Sequence, residues 1–546
     1  MQFECADDVP LGGVLWALPA LLSEGLLRHS RKLFTLAEGF YPLETIFLVL
    51  AFMALARVRF IEDLRYEPPG EWGKLVGLDR IPEVRTLREK LGQLCEPAGT
   101  AAAWSSALAQ EWMTAQADGD ATGLGVYYAD GHVRVYHGAL TALPRRYVAR
   151  QKLCLRGVTD YWVNATDGRP FFLVSRPVDA GLIEVLRTEI VPRLIAEAPG
   201  QPSAAELAAD PRLHRFTIIF DRAGYSPAFF AEMQALRVAV ITYHKFPDED
   251  WPTGEFAPLT LTLLHGETVT LALAERGTRL SNGLWVREVR KREDGGHQVS
   301  VIATDYRSPL TVVAVRMFAR WTQENFFKYM REHFAIDRLV EHGVEPLPAA
   351  TTLVNPARRR LDAEVRRERA LLVRAQAQFG ALSLSPAPEP AELDGWQVQK
   401  AQLHETITAR SARVDELKAQ RKTNPRHVTL GELPADEQFP RLRADRKHFV
   451  DTIKLLAYRA ETALVGTVGE ALARRDDARA LVREIMRTTA DLRPDPAQKT
   501  LTVHLHPLGS ALQNAAVREL AAELTATETI FPGTDLRLIF TLPDPA

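Results

Sequence analysis

Cysteine is nearly absent. Cys5, Cys95 and Cys154 are the only three in 546 residues, too few and too scattered for a disulfide framework or a zinc site. They suit a reducing cytosol, so a cytoplasmic location is expected. Long apolar runs are also missing. The longest uncharged apolar stretch, Thr45–Ala56, is too short to span a bilayer. Met1–Leu22 lacks a basic start, so no signal peptide is expected. Neither sign of charge is in real excess: 67 Lys and Arg stand against 69 Asp and Glu, a formal net charge of −2. A protein held to nucleic acid by global charge is thereby excluded, and any such role falls on local basic patches. What remains, 46% hydrophobic and 25% charged residues, is the composition of an ordinary globular protein. The length predicts three or four domains.

Residues 1–118 read as a helical domain, Leu- and Ala-rich with hardly any strand signal. Within them "PGEWGKLVGLDRIPEVRTLREKL" predicts helix, tight turn, helix, with Pro82 fitting the first turn of the second. Arg85, Arg88 and Lys90 would lie on that second helix, either as phosphate or base contacts of a recognition helix or as the surface of an ordinary helical hairpin. In residues 119–343 strand and helix patterns alternate, which predicts an α/β sheet. Strands are expected at "FTIIF" (216–220), 169–178 and 236–245, with a helix in "GLIEVLRTEIVPRLIAEA". A β-rich insertion is expected at about 261–312, where apolar and polar residues alternate and break at Gly and Asn. Residues 344–430 read as a charged helical hairpin around the Pro-rich linker "SLSPAPEPAELDG". Residues 431–546 read as a helix with a basic first half, then a small α+β piece of strand, helix and strand.

Three acids carry the chemistry. Asp221 follows "FTIIF", and a carboxylate just past a buried strand sits at the mouth of a sheet, where α/β folds bind ligands. The plainer reading is a helix cap. Asp130 lies in "VYYADGHVRVYHG", where Asp-Gly between two strand-like runs is a hairpin signal, so a turn aspartate is the plainer reading there. His132 and His137 read as strand residues. Glu324 lies in "RMFARWTQENFFKYMREHF", whose Phe318, Trp321, Phe326, Phe327, Met330 and Phe334 make a broad apolar helical face. Arg320 and Arg331 fall on turns either side of it. Two carboxylates at strand ends and one on a later helix make a cage for two hard divalent cations.

In the order Asp130, Asp221, Glu324, and in the spacing Arg320, three residues, Glu324, six residues, Arg331, the chain resembles the DDE transposases of bacterial insertion sequences. One large group of these marks its glutamate helix with Tyr, two residues, Arg, three residues, Glu, six residues, Lys or Arg. Three of the four positions match, and Met317 stands in place of the tyrosine. The resemblance covers roughly residues 120–340. It implies an RNase H-like catalytic core with a β-strand insertion before the catalytic Glu. It implies Asp130, Asp221 and Glu324 as catalytic residues and ligands of two Mg (or Mn) ions. Arg320 and Arg331 would hold phosphates. The partners implied are double-stranded DNA, as terminal inverted repeats and target, with the protein a dimer in the DNA complex at the bacterial nucleoid. Trp285, in the insertion, reads as a core or edge-strand aromatic, with stacking on a flipped base as the alternative. Two other functions share much of this pattern: an RNase H-like nuclease that does not join strands, and a transposase-derived DNA-binding protein without catalysis. A coiled-coil scaffold would account for residues 355–425 but not for the acids.

Overall fold

The structure is a computed structural model. It describes residues 1–119, 125–148, 151–176, 181–263, 268–318, 321–338, 343–384, 389–472 and 475–543. Two compact units emerge. Residues 345–441 make almost all of one, and the segments before 345 and after 441 make the other.

The larger unit is organised by a ten-stranded mixed sheet. With β1 at Ala6–Val9, its strands are β2 (Val126–Val135), β3 (Arg145–Val148), β4 (Leu153–Asn164), β5 (Pro170–Arg176), β6 (Thr217–Phe220), β7 (Ala239–Tyr243), β8 (Ala257–Thr262), β9 (Thr268–Arg279), β10 (Trp285–Arg292) and β11 (Gln298–Ala303). Strand order is β3-β4-β2-β6-β7-β11-β10-β9-β8, with β5 also paired to β4. β2, β4 and β5 form an antiparallel meander, whereas β6 and β7 run parallel to β2. Parallel neighbours need crossovers, and these are the helical segments Leu182–Glu197 and Pro227–Ala235. β6 and most of β7 are buried throughout, as strands covered on both faces must be. The insertion does not form a separate body: β11 pairs antiparallel with β7, and β10, β9 and β8 follow, extending the central sheet.

The Asp130-Gly131 hairpin expected from sequence is not there. β2 runs unbroken through both residues and pairs with β4 from Tyr128 to Val135. Glycine serves another purpose at this point. The Tyr161 ring covers it, and a Cβ would stand 3.0 Å from that ring.

Helix Leu43–Leu55 is buried along nearly its whole length, and with Thr100–Gly119 it packs on helix Asp445–Ala471. Trp104 stacks on Phe449 at 5.3 Å, with Phe34 and Phe47 edge-on. The first and last parts of the chain therefore share one core. They also share a sheet, because β1 pairs with Ala490–Asp495, which pairs in turn with Thr500–Leu505 and then Arg537–Thr541. The expectation of a nearly strand-free N-terminal region misses β1. Its sequence, Ala-Asp-Asp-Val, has no apolar alternation, and its pairing rests on edge contacts such as the Asp8 amide donating to Asp491 at 2.9 Å.

In the smaller unit, helices Pro356–Leu384 and Leu393–Thr423 lie antiparallel, tied by Glu368–Arg410 and Asp362–Arg421. Among the described residues no helix is long and apolar enough to cross a membrane.

Candidate active site

Register brings the two aspartates together. β2 and β6 pair in parallel with Tyr128 opposite Ile219 and Ala129 opposite Phe220. Asp130 is the next residue of β2, and Asp221 is the first residue past β6, with extended backbone angles. Neighbouring strands lie about 4.8 Å apart, so the two carboxylates leave the sheet side by side. Alternation fixes their face. Tyr128 and Ile219, two residues earlier, belong to the core packed by Val313, Ala314 and Met317 of helix Leu310–Phe318. Both aspartates point to that side. Each is half-buried. The Gly131 amide donates to Asp130 at 2.8 Å and the Ala223 amide to Asp221 at 2.9 Å. Asp221 thus does cap the turn that follows it, one residue beyond the last β2–β6 pair.

The next helix, Trp321–Phe334, crosses the same strand. Phe327 stacks on His132 at 5.3 Å, and Phe326 meets Trp162, the β4 residue opposite Asp130, at 5.4 Å. On the other flank, Tyr128 donates its hydroxyl to the Arg316 carbonyl at 2.5 Å. The chain is therefore fastened to β2 both before and after Asp130, and Glu324 lies between those fastenings, three residues ahead of Phe327. The side chain of Glu324, and Arg320 altogether, lie outside the described residues. Met317, at the tyrosine position of the helix signature, is fully buried in the core beneath Tyr128.

Two carboxylates on adjacent parallel strands, opening to one face, are a donor set suited to hard divalent cations, and like charges this close favour a bound cation.

A family profile described as "Transposase protein" matches residues 2–544. The chain belongs to that transposase family. No curated protein matches it in sequence. Among solved structures, it is similar to the cryo-EM structure of the piggyBac transposase synaptic complex with hairpin DNA. There the identity is 9%, with 87% of this chain and 85% of that chain covered, at a TM-score of 0.30.

Other residues of this transposase singled out from sequence are dispersed. Arg331 is half-buried, donates to the Phe327 carbonyl at 3.3 Å and lines a groove beside the end of β2. Arg85 pairs with Glu89 along its own helix, and Arg88 reaches Glu62 at 2.9 Å. Trp285 is nearly half exposed at the start of β10. Its indole lies over Gly277, where a Cβ would come within 2.5 Å, and against Tyr306 at 5.4 Å. It edges a cleft of about 560 Å³ with Arg212, Gln234, Glu275, Arg287 and Tyr306.

What sequence reasoning missed is a buried charged cluster further along the same face of β2. Arg134 grips Asp160 of β4 through two hydrogen bonds, at 2.8 and 3.0 Å. Ser175 of β5 donates to Asp160 at 2.5 Å. Burial raises the Asp160 pKa, but the Arg134 charge and hydrogen bonds, with Lys447 and Ser175, outweigh it and hold the group at about 2. Lys447 and Asp451 pair across one turn of helix Asp445–Ala471. Lys454, a further turn on, donates to the Ala335 carbonyl at 3.3 Å, and burial, then the neighbouring Lys447 charge, lowers its pKa to about 7. His132 closes the cluster by bonding Asp337. The polar residues of β2 alternate with period two (Asp130, His132, Arg134), a strand signal visible in the sequence. Nothing there reveals which partners meet them.

Proposed function

We propose that this transposase cuts and joins DNA by DDE chemistry on an RNase H-like core, with Asp130, Asp221 and Glu324 as the acids. The observation that carries the reading is the parallel register that sets Asp130 beside Asp221 on the face crossed by the Trp321–Phe334 helix. The meander β2-β4-β5 followed by parallel β6 and β7 is the strand order expected of that core. The three acids would hold two Mg or Mn ions, which when bound activate an attacking water or 3′-hydroxyl and neutralise the leaving oxygen. The chain's own contribution is rigidity. Asp130 sits mid-strand, Asp221 is fixed by the Ala223 amide, and the helix that carries Glu324 is held by the Phe327–His132 stack, so the two aspartates need little rearrangement when substrate arrives. Arg331 would take a flanking phosphate, because a guanidinium grips phosphate oxygens bidentately. The substrate is proposed to be the ends of an insertion sequence and its target, bound by a dimer.

The test is metal-dependent cleavage of duplexes carrying the terminal repeats of the element. Asp130→Asn, Asp221→Asn and Glu324→Gln should each lose cleavage by at least about a hundredfold while retaining DNA affinity. A fully active Glu324→Gln variant would remove Glu324 from the site. A nuclease without strand transfer is the second reading, and the shared chemistry is what favours it. Joined products separate the two.

A further inference from the structure

Arg331 opens onto a groove of about 930 Å³ whose walls come from four segments: Arg59 and Phe60 after helix Leu43–Leu55, the end of β2 through His137 and Gly138, Gln151, and the stretch from Arg331 to Arg338. Ion pairing elsewhere in this unit is dense, yet Arg59, Arg331 and Arg338 have no acidic partner within ion-pair distance among the described residues. The contrast is sharpest at Arg57, which is fastened to Glu461 at 2.5 Å two residues before exposed Arg59. Among the described residues of the groove, Glu62 is held by Arg88 and Asp337 by His132, leaving Glu332 beside three guanidiniums. A groove with this balance of charge attracts an anionic occupant.

We infer that the groove receives the phosphodiester backbone of the DNA that leads away from the scissile bond, with Arg59 and Arg338 as phosphate contacts. The inference rests on the proposed DDE reading and extends it to residues outside the acid cluster. Strand β2 links the two places. It carries Asp130, then His132 bonded to the groove residue Asp337, and ends at Val135 in the groove wall. Five strand residues span about 17 Å, and one DNA strand rises about 3.4 Å per nucleotide. The contacts therefore fall about five nucleotides from the reacting phosphate. Three cations from two separate segments, spread along an open groove, match a repeating polyanion better than a single small anion.

The experiment measures binding of a fluorescein-labelled duplex of scrambled sequence to the full chain by anisotropy at several salt concentrations. Each of Arg59→Ala and Arg338→Ala should weaken binding of scrambled and terminal-repeat duplexes alike. Each should also lower the slope of log affinity against log salt by about 0.9. Arg59→Lys should restore most of the slope. Arg187→Ala is the control: it removes an exposed charge paired with Glu232 and Glu184 and should leave the slope unchanged. Wild-type slopes in both groove variants would overturn the inference, as would an equal fall in the control, which would signal diffuse net charge. Failure of the catalytic reading shows separately, as cleavage surviving in Asp130→Asn.

Discussion

Two long charged helical regions of this transposase meet opposite fates. Helix Asp445–Ala471 carries Lys447, Asp451, Lys454, Arg459 and Glu461, and all five are at most 5% exposed. Each finds a partner: Lys447 and Asp451 each other, Lys454 the Ala335 carbonyl, Arg459 Glu24, and Glu461 Arg57 and Arg479. The helices of the 345–441 unit are at least as charged, but their described buried hydrophobics are Val365, Ala375, Val414 and Leu417, and their ion pairs stand half in solvent. In sequence helix Asp445–Ala471 shows a basic first half. Folded, it lies under the sheet that carries the acids. Charge density therefore does not reveal which helix is inside; the placement of counter-charges on distant strands does.

The largest effect should come from breaking the buried network. Asp160→Ala leaves Arg134 buried without its partner, which costs about 3–5 kcal/mol. Replacing both, as Arg134→Met with Asp160→Leu, should recover most of that, because the desolvation of two charges is removed along with their attraction. Denaturant unfolding of the three proteins gives the comparison. A single-variant loss below about 1 kcal/mol would mean that water reaches the cluster and that the two regions are alike.

Lys454 gives a smaller, pH-dependent effect. Burial and the nearby Lys447 depress its pKa to about 7, below the ordinary lysine value of about 10.4. Between those values the unfolded chain holds a proton that the folded chain does not, so this group makes stability rise with pH across the window, by about 1.4 kcal/mol per pH unit. Below about pH 7 the folded protein bears the full cost of a buried cation. Lys454→Met should therefore raise the melting temperature most near pH 6 and least near pH 10, flattening the profile. A wild-type profile in the variant would show that another group sets the pH dependence.

The parts of the fold written in local pattern were legible in the sequence. "FTIIF" reads as a buried strand because β6 is covered on both faces, and the insertion reads as strands because its apolar and polar residues alternate, with β8 and β9 largely open to solvent while β10 buries Val286–Arg290. The hairpin of residues 356–423 follows from two helical periods and a Pro-rich linker. Long-range matches were not legible. Pairing of Ala6–Val9 with Ala490–Asp495 leaves no local trace, and Asp-Gly, a turn signal taken alone, is overridden by eight residues of pairing along β4. In the candidate site, the order and strand context of Asp130 and Asp221 were readable, but their register was not, since it depends on which strands become neighbours. Asp337, Arg59 and Arg338 carry no motif at all and acquire meaning only from what they face.

The smallest effect belongs to the hairpin, and it tests the contrast from the other side. Arg421 reaches Asp362 at 3.2 Å with both side chains about 40% exposed. Attraction across water is largely offset by the entropy of holding two long side chains, so an exposed pair contributes about 0–1 kcal/mol. Arg421 also sits two residues from the end of a helix whose partner supplies most of the packing, as Arg358 reaches the Arg421 and Asn424 carbonyls at 3.1 and 2.5 Å. These bonds survive when the Arg421 side chain is removed. Arg421→Ala should therefore leave the unfolding midpoint nearly unchanged, and the small remaining loss should shrink further at high salt, where exposed charges are screened. A loss above about 2 kcal/mol, insensitive to salt, would mean that the pair is desolvated in solution. The hairpin would then be covered by something other than its own two helices, and the difference between the two charged regions would disappear.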